Sequence, residues 1–214
     1  MTNVVFYDFG KAGLDTDNYS FSEFEKDRIK NKKTKDGQNE SVQSYTLVKK
    51  AYEYLYNKKH PELCFSECGK PYFEGEDVKV SISHTNSFCV VAFSDKSVGV
   101  DTEKYRKLKE KGAIIDRFVN KRLQNELKNK IKELTEIKFY ELTNTSFEEF
   151  KPENLEKLEE KSDVENAFFW TALEALLKTE NGFSDIKKAE ELLEKSEIKA
   201  VIYKDFFVTA AVKK

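Results

Sequence analysis

The chain has 214 residues, with 37 basic and 39 acidic side chains and a formal net charge of −2, so it lacks the basic excess of a general nucleic-acid binder. Its 39% hydrophobic and 13% aromatic residues supply a core in spite of a 36% charged content, which excludes a disordered chain and allows one large domain or two small ones. No apolar run is long enough to cross a membrane, and the odd number of cysteines (Cys64, Cys68 and Cys89) excludes a disulfide framework, while His60 and His84 give no zinc spacing with them. The first ten residues have no basic and apolar leader pattern, so the expectation is a soluble, cytoplasmic protein with free thiols.

Val4 to Tyr7 reads as a strand. Glu25 to Asn39, rich in Lys, Asp and Asn, reads as a partly helical start running into a mobile basic loop. Ser44 to Tyr56 follows with Tyr45, Val48, Tyr52 and Leu55 at helical spacing, closed by His60-Pro61. Phe65 to Phe73 holds a turn at Gly69-Lys70-Pro71. Val78, Val80 and Ile82 alternate with Lys79, Ser81 and Ser83, the period of a half-buried strand. Phe88 to Phe93 fits a buried strand, and Ser97 to Glu103 a short one ending in charge. Gly112 to Leu127 reads as helix. Lys128 to Lys161, rich in Glu and Lys and containing Pro152, reads as a surface insertion of helix and loop. Ser162 to Lys178 is the clearest helix, with Ser162 and Glu165 in a capping-box pattern and Asn181-Gly182 as its stop. Ile198 to Tyr203 and Phe206 to Val212 make a hairpin turning at Lys204-Asp205. The order helix then apolar strand occurs twice, in Tyr45–Tyr56 with Phe88–Phe93 and in Phe168–Lys178 with Phe206–Val212. Two similar halves side by side would leave a cleft between them.

Three features carry chemistry. In Val98-Gly99-Val100-Asp101-Thr102-Glu103, residues two apart share a face, so Val98, Val100 and Thr102 point to the core while Gly99, Asp101 and Glu103 point the other way. Two carboxylates on one face repel unless a cation joins them, and oxygen ligands suit magnesium; a strand end running into solvent explains the same pattern. In the helix, Glu174 is the one charge between Ala167 and Leu177, on an element apolar nearly all round. Lys178 lies four residues on, on the same face. This is either an ordinary helical ion pair or a third carboxylate and a phosphate-binding lysine. His84, at the end of Ser81-Ile82-Ser83-His84-Thr85, is either a satisfied turn residue or a ligand contact. Lys70 is, taken alone, a turn lysine.

Taken in order, Gly69-Lys70-Pro71, Ser81-Ile82-Ser83-His84-Thr85, Val98-Gly99-Val100-Asp101-Thr102-Glu103 and Trp170-Thr171-Ala172-Leu173-Glu174-Ala175-Leu176-Leu177-Lys178 resemble the motifs of the 4′-phosphopantetheinyl transferases. The resemblance is to the single-chain, pseudo-dimeric type that activates peptide and polyketide synthetases, and it covers roughly half the chain, mostly Phe65–Lys104 and Phe168–Phe183. It implies an α/β (α+β) fold of two pseudo-symmetric halves, 1–104 and 105–214, with the insertion near 128–161 in the second and the active site in the cleft between them. It implies magnesium held by Asp101, Glu103 and Glu174, and coenzyme A contacted by Lys70, Ser83, His84 and Lys178. The implied reaction transfers phosphopantetheine to a serine of an acyl or peptidyl carrier protein and releases 3′,5′-ADP, with Glu174 as base and Lys178 and Asp101 in the catalytic set. A single chain with both halves can work as a monomer.

The chain departs from the family pattern in three places. Leu173 stands where the family has lysine before the glutamate. Asn39-Glu40-Ser41 stands where an arginine enters the first-half helix, with Lys32, Lys33 or Lys35 as substitutes. Leu123 falls where a glutamate follows the stretch here written Arg117-Phe118-Val119. These losses motivate a second reading, a weakened homologue that binds coenzyme A or a carrier protein without turnover. A third is a different magnesium-dependent phosphoryl enzyme using the same carboxylates.

Overall fold

The structure, a computed structural model, describes residues 1–10, 12–104, 119–131, 135–143, 146–150, 162–180 and 188–214, the side chains of 162–164 excepted. Ten strands and five helices are described: β1 Thr2–Asp8, α1 Glu23–Lys30, α2 Lys35–Tyr56, β2 Leu63–Phe65, β3 Pro71–Phe73, β4 Lys79–Thr85, β5 Phe88–Ser94, β6 Val98–Lys104, α3 Lys121–Lys130, β7 Ile137–Leu142, β8 Phe147–Phe150, α4 Ser162–Lys178, α5 Ala189–Glu194, β9 Ser196–Tyr203 and β10 Phe206–Lys213. The class is mixed α/β with two sheets. One is seven-stranded in the order β2-β3-β4-β5-β1-β7-β8, and the other is three-stranded in the order β6-β10-β9.

Strand alternation sorts the apolar side chains into layers. Val4, Phe6, Phe88, Val90 and Ala92 of the large sheet meet Val98, Val100, Val208 and Ala210 of the small sheet in one core. The opposite faces meet helices. Val5, Val91 and Phe93 pack with Tyr45, Leu47, Val48, Ala51 and Tyr52 of α2, while Ile198, Ala200, Phe207 and Ala211 pack with Phe168, Ala172, Ala175 and Leu176 of α4. Each sheet is thus covered on its outer face by one long helix, as amphipathic elements require.

The structure corrects several sequence expectations. Thr34 caps the N-terminus of α2, its side-chain oxygen accepting from Gly37 N at 3.1 Å, so α2 begins at Lys35 within the stretch expected as a mobile loop. A good N-cap and Asp36 in the first turn outweigh the poor helix propensity of Gly37 and Asn39. Segment 128–161, expected as a surface insertion of helix and loop, instead supplies β7, parallel to β1, and β8 antiparallel to β7. Ile137 and Phe139 are buried in the core between the sheets and Leu142 in the core on the opposite face, because β7 lies beside β1 with both faces covered. β4 is buried on its serine face, at Ser81 and Ser83, as well as at Val80, so it is no half-exposed strand. Residues 112–118, Pro152, the Ser162 side chain and Asn181-Gly182 lie outside the described residues; the described part of the expected helix 112–127 is α3, capped by Asn120.

Among the described residues no helix is long and apolar enough to cross a membrane. Beneath α1, Glu25 and Lys49 form an ion pair at 2.8 Å with both side chains 1% exposed. Lys49 also donates to the Ser20 carbonyl at 2.7 Å. Glu25 doubles as the N3 member of a capping box with Ser22, so one buried carboxylate serves a cation and a helix end together.

Candidate active site

β6 is an edge strand of the small sheet, and its free edge meets the serines of β4. Val100 N donates to Ser81 Oγ at 3.0 Å, and Ser83 Oγ donates to Asp101 Oδ1 at 2.7 Å. Ser81 therefore satisfies one backbone N–H on the free edge of β6, and Ser83 holds the same strand through the Asp101 carboxylate, which joins the two sheets along this line. As the alternation requires, Gly99 and Asp101 face α4. Gly99 is needed for contact, since a Cβ there would fall 1.9 Å from the Ala175 carbonyl oxygen and 2.9 Å from Thr179 N. Its missing side chain brings α4 down onto β6; it does not open a space beside the carboxylates.

That close approach brings Asp101, Glu174 and Lys178 together. Asp101 is 2% exposed. Its Oδ1 accepts from Lys178 Nζ at 2.6 Å as well as from Ser83, and Lys178 Nζ also donates to the Val100 carbonyl at 3.2 Å. No amine, amide or hydroxyl reaches the buried Asp101 Oδ2, and the neighbouring Glu174 carboxyl hydrogen-bonds to Asp101 when it holds a proton. The carboxyl of Glu174 lies against Asp101. Burial first, and the Asp101 charge second, push its pKa up to about 8, with a weaker contribution from Glu103 and with Lys178 opposing. Two carboxyl groups can share such a contact only if a proton or a cation lies between them. Lys178 is thus more than the partner of Glu174 one turn away; it neutralises Asp101 across the packing interface.

The other residues singled out by sequence are placed as follows. Glu103, two residues beyond Asp101 on the same face of β6, is half-buried and acts on Glu174 as the last of its charge influences. Among the described residues no three His, Cys, Asp or Glu side chains gather closely enough to hold a metal ion, so the expected set of three is not assembled here. The buried Asp101 Oδ2 beside Glu174 still fits a magnesium ion bound through one or two carboxylates, with water and phosphate oxygens completing its shell. His84 is largely buried near the same cluster. Burial, then Lys32 and Lys178, push its pKa down to about 4, Asp101 acting the other way. Its Nδ1 lies 3.2 Å from Glu40 Oε2 but is too poorly aligned for a hydrogen bond. Of the three lysines considered as substitutes for the absent arginine, Lys32 is the one whose charge reaches His84, while Glu40 supplies an acid at this spot. Leu173 is buried in the core around α4, where a lysine would need a partner.

Lys70 does not reach this cluster. Its Nζ donates to the carbonyls of Thr179 and Glu180, at the end of α4, at 3.2 and 3.3 Å. Sequence reasoning missed this role and those of Ser81 and Glu40. Ser81 had a legible signal, since a second serine two residues before Ser83 shares its face; the partner of Lys70 is 109 residues away and left none.

Searched against models of known protein families, the chain matches none, and no curated protein matches it in sequence.

Proposed function

We propose that the protein is a magnesium-dependent 4′-phosphopantetheinyl transferase, moving phosphopantetheine from coenzyme A to a serine hydroxyl of an acyl or peptidyl carrier protein. The observation that carries this reading is the meeting of Asp101 from β6 with Glu174 and Lys178 from α4, two buried carboxyl groups against one cation. The four motifs supply the rest of the support. In this reading 1–104 and 105–214 are the two pseudo-symmetric halves, with α2 and α4 as the corresponding helices, and the single chain works as a cytoplasmic monomer.

Asp101 and Glu174, with Glu103 next to them, would hold magnesium, which when bound neutralises pyrophosphate oxygens and acts as a Lewis acid. With magnesium bound, Glu174 would give up its own proton and could then take that of the carrier serine. The serine Oγ–phosphorus bond forms as the bond from that phosphorus to 3′,5′-ADP breaks. Lys178 offsets the charge on the leaving phosphate, and Ser83, His84 and Lys32 line the approach for the coenzyme's phosphates. Incubating the chain with magnesium, coenzyme A and a panel of apo carrier proteins tests the proposal. The expected result is a mass gain of one phosphopantetheine on a carrier, and no gain on any carrier would sink it.

A weakened homologue that binds coenzyme A or a carrier without turnover is the second reading. It is favoured by Glu40 beside His84 and by buried Leu173. Saturable coenzyme A binding without carrier modification would select it.

A further inference from the structure

The C-terminal turn of α4 is tied down by residues distant in the chain. Thr179 N and Glu180 N donate to the Leu176 and Leu177 carbonyls at 3.0 and 3.2 Å, which tightens the last turn and leaves its own carbonyls in need of outside donors. Lys70 Nζ supplies both, at 3.2 Å to Thr179 O and 3.3 Å to Glu180 O, and Ser97 Oγ adds a second donor to Thr179 O. A cation at this end also suits the helix dipole.

The backbone of Lys70 is itself pinned. Gly69 takes φ +82°, a left-handed value. Lys70 N donates to Ser66 Oγ at 3.1 Å, Ser66 N donates to Lys70 O at 2.9 Å, and Gly69 N donates to Ser66 O at 2.8 Å. The ammonium lies more than half buried, and burial lowers its proton affinity. Glu180 works to retain the proton, as more weakly does Cys68, while Lys213 and Lys79 work against it.

We propose that Lys70 is a positioning residue of the transferase site: from the turn between β2 and β3 it fixes the end of α4, and so the placement of Lys178 and Glu174 against Asp101, without touching the coenzyme. This rests on the transferase reading above and replaces the coenzyme contact that the Gly69-Lys70-Pro71 motif implied. Lys178 is adjacent to the anchored Thr179, and its Nζ spans to Asp101 at 2.6 Å. A small slide of the helix end therefore moves the very groups that must meet the phosphate, and displacements of this kind cost about a hundredfold in rate.

The test uses the full chain with Lys70→Met and Lys70→Arg. In the absence of coenzyme A, amide exchange at Thr179 and Glu180 should quicken about tenfold or more in Lys70→Met and return most of the way in Lys70→Arg. In the carrier assay, kcat should fall about 10- to 100-fold while KM for coenzyme A moves less than about threefold, and Lys70→Arg should recover most of the rate. Unchanged exchange with a raised KM and a retained kcat would make Lys70 a direct coenzyme contact and overturn the proposal. Unchanged exchange with unchanged kinetics would remove Lys70 from the site altogether. If Lys70→Met gives no cooperative unfolding transition, Ser97→Ala carries the test: a smaller quickening at the same two amides is expected, and none would overturn the anchoring. The exchange arm needs no turnover, so an inactive wild type would sink the transferase reading while anchoring is judged separately.

Discussion

Replacing Glu174 with glutamine removes the proposed base, and it should also make the metal-free protein more stable at about pH 8. Folding raises the pKa of Glu174 from an ordinary 4.5 to about 8, because of burial and the Asp101 charge, against the opposing pull of Lys178. Between those values the folded chain holds a proton that the unfolded chain has released, so stability falls as pH rises through the window. Each unit of displacement is about 1.4 kcal/mol, so this one group costs the wild type on the order of 3 kcal/mol at pH 7. Glutamine carries no charge, and its amide can donate to Asp101 at every pH, as the Glu174 carboxyl can only while it is protonated. Urea unfolding of both proteins from about pH 5 to about pH 8.5, with chelator present, measures the difference. The midpoint of Glu174→Gln should draw ahead of the wild type as pH rises, and millimolar magnesium should return about 1 to 2 kcal/mol to the wild type alone. Parallel pH profiles, or a variant less stable at about pH 8, would refute the pairing of Glu174 with Asp101.

Gly99→Ala should cost at least about 3 kcal/mol, since the new methyl meets the Ala175 carbonyl oxygen at 1.9 Å; an unchanged melting temperature would show that α4 does not sit on β6 as described. Lys49→Met strands the Glu25 carboxylate in the core and should cost about 3 to 5 kcal/mol in urea unfolding, most of it recovered by adding Glu25→Gln; a loss under about 1 kcal/mol would mean the pair is solvated. The His84 imidazole should titrate by proton NMR near pH 4, with 3′,5′-ADP moving the midpoint upward; a midpoint near the ordinary 6.5 would contradict its burial beside Lys32 and Lys178.

Much of this was legible locally. The alternation in Val98–Glu103 set which side chains of β6 face α4, and the apolar surroundings of Glu174 marked a carboxylate that needed company. Lys204-Asp205 placed the β9–β10 turn correctly, with Lys204 at φ 53°. What stayed hidden depended on partners far along the chain. Ser81 and Ser83 read as a solvent face because period-2 patterning equates polar with exposed, whereas here Ser81 accepts from the edge backbone of another sheet and Ser83 donates to its Asp101 carboxylate. Ile137 to Leu142 read as part of a charged insertion because the Glu- and Lys-rich flanks masked a six-residue strand whose only argument for burial is its place beside β1. The need for glycine at position 99 was hidden in the same way, since what a side chain there would meet is the backbone of a helix far along the chain, at Ala175 and Thr179.

The contrast between the two buried acid clusters bears on function. At Glu25 one carboxylate meets one cation, Lys49, through Oε2 at 2.8 Å, and the same oxygen caps α1, while Oε1 is buried without a hydrogen-bond partner; charge is matched by the fold itself, so a structural role accounts for the arrangement. At Asp101 one lysine meets two carboxyl groups, so the charge is not matched by the fold. Burying a second acid there opposes folding at neutral pH, and a hydrophobic residue at position 174 would suit the surrounding helix face better. A fold that keeps such a mismatch where two sheets and a helix converge, with Gly99 and Lys70 holding the helix in place, concentrates its unfavourable electrostatics on one spot. That spot is where an added divalent ion and an anionic phosphate would restore the balance of charge, and it is the pattern expected of a binding site more than of a core.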